Sequence, residues 1–321
     1  MLTYSDQIPL LGQIFGLFGS EMGPFCDLLS AFPLKLNVLQ DGRRSCECSG
    51  PMSLLHLVLV AIIQGVTEFL PVSSSGHLIL IPNLTGLRDQ GLVIDVAAHV
   101  GTLFAVILFF WSDVRIAAAG TLRLAQGKVD TKGAFLALCL GVATVPVVIA
   151  GLAVKLTGLD EMLRSTAVIG WTMLTFGLVL YWADHGFPTD RPAERWSLKH
   201  ALVMGLWQML ALIPGTSRSG ITITAARTLG YSREDGAKLA MLMSIPTIVM
   251  AGLLLAVDVV ATADMQALRD GLIAATLSFV SALAALWAMF RLLRSVSFTP
   301  YVIYRAILGA FLLILAYGYG W

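Results

Sequence analysis

Gln64-Gly65-Val66-Thr67-Glu68-Phe69-Leu70-Pro71-Val72-Ser73-Ser74-Ser75-Gly76-His77 is the stretch on which the reading of this chain turns. A second stretch, Ala211-Leu212-Ile213-Pro214-Gly215-Thr216-Ser217-Arg218-Ser219-Gly220-Ile221-Thr222, has the same order: an apolar helical run, a proline, clustered hydroxyls, a glycine and another apolar run. Proline removes a helix donor and glycine permits dihedrals closed to other residues, so each stretch predicts a break between two short helices. At membrane depth a broken helix is tolerated only where it faces protein or a wet cavity. One break carries a carboxylate and an imidazole, the other a guanidinium. Together they are the expected active site.

Working outward, residues 53–69 and 77–86 flank the first break, each too short to cross roughly 30 Å of hydrocarbon. Three longer apolar segments follow near 91–111, 133–154 and 163–183. Residues 200–213 and 220–229 flank the second break, and three more apolar segments lie near 237–257, 271–290 and 301–320. A short broken pair plus three crossings, taken twice, starts the second round on the opposite membrane face. The expected fold is an all-α polytopic membrane protein with an inverted-topology repeat, its halves about 53–183 and 200–320. Each half is then a broken re-entrant helix pair plus three transmembrane helices, with the site at their interface. Composition agrees: the 321 residues are 57% hydrophobic and 13% charged, against about 25% charged in a soluble domain. A net charge of +1 leaves no basic surface for nucleic acid.

Residues 1–51 stand apart. Their apolar window, Ile8–Phe18, is too short to span and has no basic residue before it. The segment reads as a poorly ordered N-terminal extension, and Met52 as an alternative start. Cys46 and Cys48 have no second pair or nearby histidine to complete a metal site. Cys26 says little, and Cys139, in an apolar span, reads as packing.

Basic residues set the expected orientation. Loops 112–132 (Arg115, Arg123, Lys128, Lys132), 184–199 (Arg191, Arg195, Lys199) and 291–300 (Arg291, Arg294) carry most of them. The alternating loops have Lys155 in one and Asp258, Asp264, Arg269 and Asp270 in the other. The positive-inside rule makes the first set cytoplasmic, so the first break is entered from outside and the second from the cytoplasm. Arg43 and Arg44 weigh weakly against this. Trp111, Trp182, Trp287, Tyr301, Tyr317, Tyr319 and Trp321 sit near predicted span ends, as interfacial aromatics do.

Gln64 and Glu68, four apart, share a helix face. A charge at the bilayer centre costs about 2.5–3.5 kcal/mol even on insertion scales, so Glu68 needs a reason to be there. A structural pair would be one. Ser73, Ser74, Ser75 and His77 just beyond the same break favour a functional one, with His77 as acid, base or ligand. In the second break, the hydroxyls of Thr216, Ser217 and Ser219 surround the Arg218 guanidinium where a helix begins. Helix N-termini bind anions and arginine grips phosphate oxygens in a fork. The residues alone therefore predict an intramembrane anion site facing a carboxylate and a histidine.

The two motifs resemble the undecaprenyl-diphosphate phosphatase (bacitracin-resistance) family, as do Asp95-Val-Ala-Ala-His-Val-Gly-Thr102 and the Ala226–Asp235 stretch before Ser244-Ile-Pro246. The resemblance covers about residues 52–321, which would form an integral membrane phosphatase domain. Gln64 stands where some members carry Glu. The resemblance implies hydrolysis of undecaprenyl diphosphate to the monophosphate and inorganic phosphate, recycling a lipid carrier for peptidoglycan synthesis in the bacterial inner membrane. It further implies an active site toward the periplasmic face and a divalent cation, Mg or Ca. Carried over by position, Arg218 would hold the diphosphate with Ser73, Ser75, Thr216, Ser217, Ser219, Gly220 and Thr222 around it. Glu68 and His77 would be the catalytic pair, Ser74 the nearest hydroxyl, and Glu68 with the Gln64 amide oxygen the protein's metal ligands. Two mechanisms are open: attack by Ser74 or His77 through a covalent intermediate, or a water activated by Glu68. The absence of an evident base on the helix of Ser74 itself favours an assisting role for it. Inverted repeats with midplane charges also describe transporters, so a polyprenyl-phosphate flippase is the alternative. A homodimer is compatible with the sequence, which does not fix the oligomeric state.

Overall fold

The computed structural model describes residues 53–78, 80–81, 90–159, 163, 165–262 and 265–319, with the side chains of 256–262 left aside. The extension 1–51, Cys46 and Cys48, most of the predicted flank 77–86, the side chains of Asp258 and Asp264, and Trp321 lie outside what is described. Among the described residues the regular structure is helical: α1 (Leu54–Phe69), α2 (Ser74–Leu78), α3 (Gly91–Phe109), α4 (Trp111–Ala125), α5 (Lys132–Thr157), α6 (Thr166–Gly186), α7 (Leu198–Gln208), α8 (Arg218–Thr228), α9 (Arg233–Thr262), α10 (Met265–Leu293) and α11 (Thr299–Tyr319). Six of them, α3, α5, α6, α9, α10 and α11, are long and apolar enough to cross a membrane. The protein is an all-α, multi-pass membrane protein.

The helices start where the sequence supplies caps. Ser53, Thr131, Ser165 and Ser197 each accept a backbone N–H of the helix they precede, which satisfies donors that a helix start leaves unpaired. Small residues let backbones close in. A Cβ on Gly65 would fall 2.6 Å from the Ser278 carbonyl, and one on Gly205 2.5 Å from that of Ala143. These contacts bring α1 against α10 and α7 against α5, as expected where packing rather than the hydrophobic effect joins helices. α10 also packs along α3, and α6 along α11.

The region 112–132 differs from its reading as a loop. Most of it is helix α4, which packs on α5. Asp113, Arg115 and Arg123 break its apolar residues into short runs, which a search for continuous hydropathy passes by. Across the turn that ends it, Arg123 pairs with exposed Asp130, and its hydrogen bond holds the Asp130 carboxyl below its ordinary range. Trp111, Trp182, Trp287, Tyr317 and Tyr319 are exposed at or near the ends of helices.

A second buried charge cluster ties helix ends together. Asp184, at the end of α6, accepts from Arg227 Nε at 3.1 Å, Arg233 Nε at 2.8 Å and the Phe298 N–H at 3.1 Å. It joins α6, α8, α9 and the start of α11, which keeps the broken second pair fixed to the spans around it.

Candidate active site

Both breaks form for the reasons their prolines give. Leu70 and Ile213, each before a proline, have extended backbone (ψ 144° and 117°), because the proline ring closes the helical region to its neighbour. α1 ends there directly, whereas α7 first tightens into the 3-10 turn Met209–Leu212. Each chain then passes through a serine with left-handed φ, 74° at Ser73 and 70° at Ser217, before the next helix begins. Such a conformation costs a non-glycine residue about 1–3 kcal/mol and persists where surrounding contacts impose it. Here the contacts are visible. Ser73 Oγ lies 3.0 Å from Ser75 Oγ and Ser217 Oγ 3.1 Å from Ser219 Oγ, while the Gly220 N–H donates to Ser217 Oγ at 3.1 Å.

The turns are also tied to each other. Ser219 Oγ donates to the Leu70 carbonyl at 2.9 Å, and the Gly215 N–H donates to Ser75 Oγ at 3.1 Å. Between them lies a cavity of about 220 Å³, lined by Thr67, Glu68, Ser73, Ser74, Ser75, His99, Ala211, Ile213, Gly215, Ser217 and Arg218. Glu68 is its only carboxylate among those residues. Arg218 Nη2 donates to Glu68 Oε1 at 2.6 Å, Gln64 Nε2 to Oε2 at 2.7 Å, and Ser74 Oγ to Oε2 at 3.4 Å. His99 Nε2 lies 3.6 Å from Oε2 and 3.1 Å from Gln64 Nε2, with Nδ1 2.8 Å from the Asp95 carbonyl. The amide of Gln64 is a donor, so His99 Nε2 accepts and Nδ1–H donates to Asp95. One buried carboxylate thus stands between a guanidinium, an amide, an imidazole and a serine hydroxyl.

Of the residues named from sequence, Glu68, Ser73, Ser74, Ser75, Ser217 and Arg218 meet in this cavity. Gln64 sits behind Glu68, 1% exposed, and turns its NH₂ group to the carboxylate. The others are placed elsewhere. His77 Nδ1 donates to the Ser73 carbonyl at 2.7 Å, leaving Nε2 to accept from Tyr304 Oη at 2.6 Å, with the two rings stacked. Thr222 Oγ1 donates to the Arg218 carbonyl at 2.8 Å within α8. Thr216, Ser219 and Gly220 lie beneath the second turn, with Thr216 fully buried. Sequence reasoning gave no role to His99, which is the cavity's histidine, nor to Arg305, which lies under both turns. Each was visible as a polar residue inside an apolar span.

Among the described residues no cluster of three or more His, Cys, Asp or Glu side chains offers a ready metal site. The donors present still suit a hard divalent cation, since Mg²⁺ is commonly held by one or two carboxylates plus substrate phosphates. Glu68 is that carboxylate, and the buried amide oxygen of Gln64 has no hydrogen-bond partner.

Comparison with known proteins agrees over the same region. The family model described as bacitracin resistance protein BacA matches residues 57–311. The undecaprenyl-diphosphatase of Roseobacter denitrificans is 71% identical over 266 residues, covering 83% of this chain and 100% of the relative. That of Dinoroseobacter shibae is 68% identical with the same coverage. The more distant enzyme of Maricaulis maris is 47% identical over 82% of this chain and 99% of its own length.

Proposed function

The chain belongs to the bacitracin resistance protein BacA family, and from that premise we infer how its residues act in an undecaprenyl-diphosphate phosphatase. The protein hydrolyses undecaprenyl diphosphate to undecaprenyl phosphate and inorganic phosphate. The observation that carries the assignment of residues is the Glu68 carboxylate, 2.6 Å from Arg218 and 3.4 Å from Ser74 Oγ, in one cavity between two helix breaks.

In the proposed reaction Arg218 turns its fork from Glu68 to the oxygens of the terminal phosphate. Ser74 Oγ attacks that phosphorus and gives its proton to Glu68 Oε2. The bond from phosphorus to the bridging oxygen breaks, and the lipid monophosphate leaves. Water then attacks the phosphoserine, the Oγ–P bond breaks, Glu68 returns its proton to Ser74 Oγ, and inorganic phosphate leaves carrying the protons of the water. Phosphoryl transfer asks mainly for positioning and charge stabilisation, which the half-buried Arg218 and the turn around Ser217 supply. The base that Ser74 lacks on its own helix comes from α1, across the turn. A divalent cation, Mg or Ca, would be held by Glu68 and Gln64 with phosphate oxygens, and would neutralise charge on the diphosphate. His77 would act on the position of Ser73 through its hydrogen bond rather than on the phosphate.

We place the cavity toward the periplasmic face of the inner membrane, as the resemblance to the bacitracin-resistance family implies; the basic residues in 112–132, 184–199 and 291–300 put those segments on the cytoplasmic side. The extension 1–51 is proposed to be dispensable, because the relatives align over 266 residues at their full length. A chain begun at Met52 should insert and turn over like the full one.

The test is phosphate release from a polyprenyl diphosphate by the purified protein, with and without a chelator. Release that stops with chelator and returns with Mg or Ca supports the whole reading. Release indifferent to chelator removes the cation from it. No release, together with movement of polyprenyl phosphate across vesicle membranes, would replace the enzyme with a flippase.

A further inference from the structure

Arg305 is wholly buried in the membrane-spanning helix α11, yet among the described residues no carboxylate pairs with it. A buried guanidinium must be satisfied by something, and here it is satisfied by backbone. Nη1 donates to the Pro71 carbonyl at 3.3 Å and the Thr216 carbonyl at 3.0 Å. Nη2 donates to the Gly215 carbonyl at 3.2 Å and the Thr172 carbonyl at 3.4 Å, and Nε to that of Met173 at 3.2 Å. Pro71 and Val72 lead into Ser73, and Thr216 precedes Ser217, so a single nitrogen spans the two chains just before their left-handed serines.

This pattern differs from that of the other fully buried arginine. Arg227 is paired with Asp184 and joins helix ends away from the cavity. The partners of Arg305 belong to the two turns that carry Ser74 and Arg218, and to the α6 segment against which the second turn rests. That segment adds a direct tie, since Thr172 Oγ1 donates to the Pro214 carbonyl at 2.6 Å. Trans peptide planes point N–H opposite to C=O. Holding the Thr216 carbonyl toward Arg305 therefore directs the Ser217 N–H away from it. A planar fork with donors in fixed directions can hold several carbonyls at once, which a lysine point charge cannot.

We propose that Arg305 is a positioning residue for phosphoryl transfer: one guanidinium that sets the nucleophile-bearing turn and the phosphate-binding turn at a fixed separation. It does not touch the substrate, so its loss should act on the rate of the chemical step more than on substrate binding. This rests on the phosphatase reading above. A misplacement near 1 Å can cost about 10²-fold in rate, and among the described residues no other cation bonds backbone carbonyls of both turns.

The experiment measures kcat, KM and thermal stability of purified Arg305→Lys, Gly220→Ala and Leu312→Ala beside the wild type, as phosphate release from a polyprenyl diphosphate. Leu312 is a fully buried core residue on the same helix and serves to report plain destabilisation. A Cβ on Gly220 would sit 3.0 Å from Arg305 Nη1 and 3.2 Å from the Ser217 side chain, pressing on the guanidinium and on the turn it holds while keeping the charge. Expected is a fall in kcat of about 10²-fold per folded molecule for Arg305→Lys, with KM changed far less. Gly220→Ala should show a smaller loss in the same direction. Leu312→Ala should lose stability but keep its turnover per folded molecule. Arg305→Lys that folds and turns over within about threefold of wild type, against that expectation, overturns the proposal. So does a loss no larger than its folded fraction explains. If Arg305→Lys does not fold, unchanged kcat in Gly220→Ala overturns it instead. A wild type that releases no phosphate fails the phosphatase reading and takes this inference with it.

Discussion

Superposed in sequence on their left-handed serines, the two breaks share a frame and differ in chemistry. Gln64 and Gln208 each precede that serine by nine residues, and both are buried with an unpartnered amide oxygen. Ser73 and Ser217 have matching φ, and each hydroxyl meets the serine two positions on, at 3.0 and 3.1 Å. Glycine follows in both, at Gly76 and Gly220. Within that frame Glu68 stands where the second break has Leu212, and Ser74 stands where it has Arg218. The backbone device is used twice, then loaded once with base and hydroxyl and once with a cation.

Burial separates them further. α2 is five residues long and only Gly76 in it is buried, whereas nine residues of the eleven-residue α8 are buried, from Ser219 to Arg227. The half proposed to do the chemistry is the lightly packed one, and the half proposed to hold the phosphate is locked into the core. Substitutions at the cavity in the first break should therefore change rate with little loss of stability, and those at the cavity in the second should change both.

The sharpest way to break this division is Ser74→Ala. If the first break supplies the nucleophile, turnover should fall by about 10⁴-fold or more, because groups acting as a unit fail together. Wild type should be trappable as a phosphoenzyme by rapid acid quench. Substantial residual release from folded Ser74→Ala would give the attack to water and leave the hydroxyl as a helper.

Glu68→Gln comes next. It keeps shape while removing the base and turning one of its two acceptors into a donor, so a loss of about 10³-fold is expected from a protein that still folds. Because Ser74 and Glu68 act together, the double variant should be scarcely worse than Ser74→Ala alone. Full activity in Glu68→Gln would make the Glu68–Arg218 pair a structural tie.

Arg218→Lys tests the other break. Charge is kept and the bidentate fork is lost, so kcat/KM should fall by about 10²-fold. KM should carry more of that loss than in Glu68→Gln, since the residue is proposed to bind phosphate before the chemical step. Turnover within a few-fold of wild type would remove the phosphate cradle.

The architecture was open to sequence reading because it rests on hydropathy and proline. Six spans and two breaks leave long apolar runs and Pro71 and Pro214, and the six spans found begin and end within six residues of those expected. Helix α4 escapes that reading, since Asp113, Arg115 and Arg123 leave it no such run. In the site, Glu68, Ser74 and Arg218 were legible as polar groups with no reason to be in a membrane. Ser73, Ser75 and Ser217 follow from the same motifs, but the cavity's histidine does not, because tertiary contacts decide which way a side chain turns. His77 is drawn off by Tyr304, far along the chain on α11, while His99 arrives from α3. Arg305 was legible by the same rule that picked out Glu68, and only its distance in sequence from the motifs hid it.

The smallest effect should come from Thr222→Val, and it discriminates between motif and geometry. By position in the motif, Thr222 belongs to the phosphate cradle. In the fold it is fully buried, with Oγ1 donating to the Arg218 carbonyl at 2.8 Å and lying 3.2 Å from that of Ser219. Those carbonyls are at the start of α8, where the helix ladder already supplies them with N–H partners, so the hydroxyl adds a second bond to acceptors that keep their first. Valine has the same shape and strands no unpaired carbonyl. The expected cost is about 1 kcal/mol of stability or less, with phosphate release per folded molecule within about twofold of wild type, as for a substitution that removes no transition-state contact. Thermal melts and phosphate release on the same preparation separate the two quantities. A large fall in KM-weighted activity without a fall in stability would mean that α8 turns during the reaction and brings Thr222 to the phosphate, and the second break would then be the mobile one.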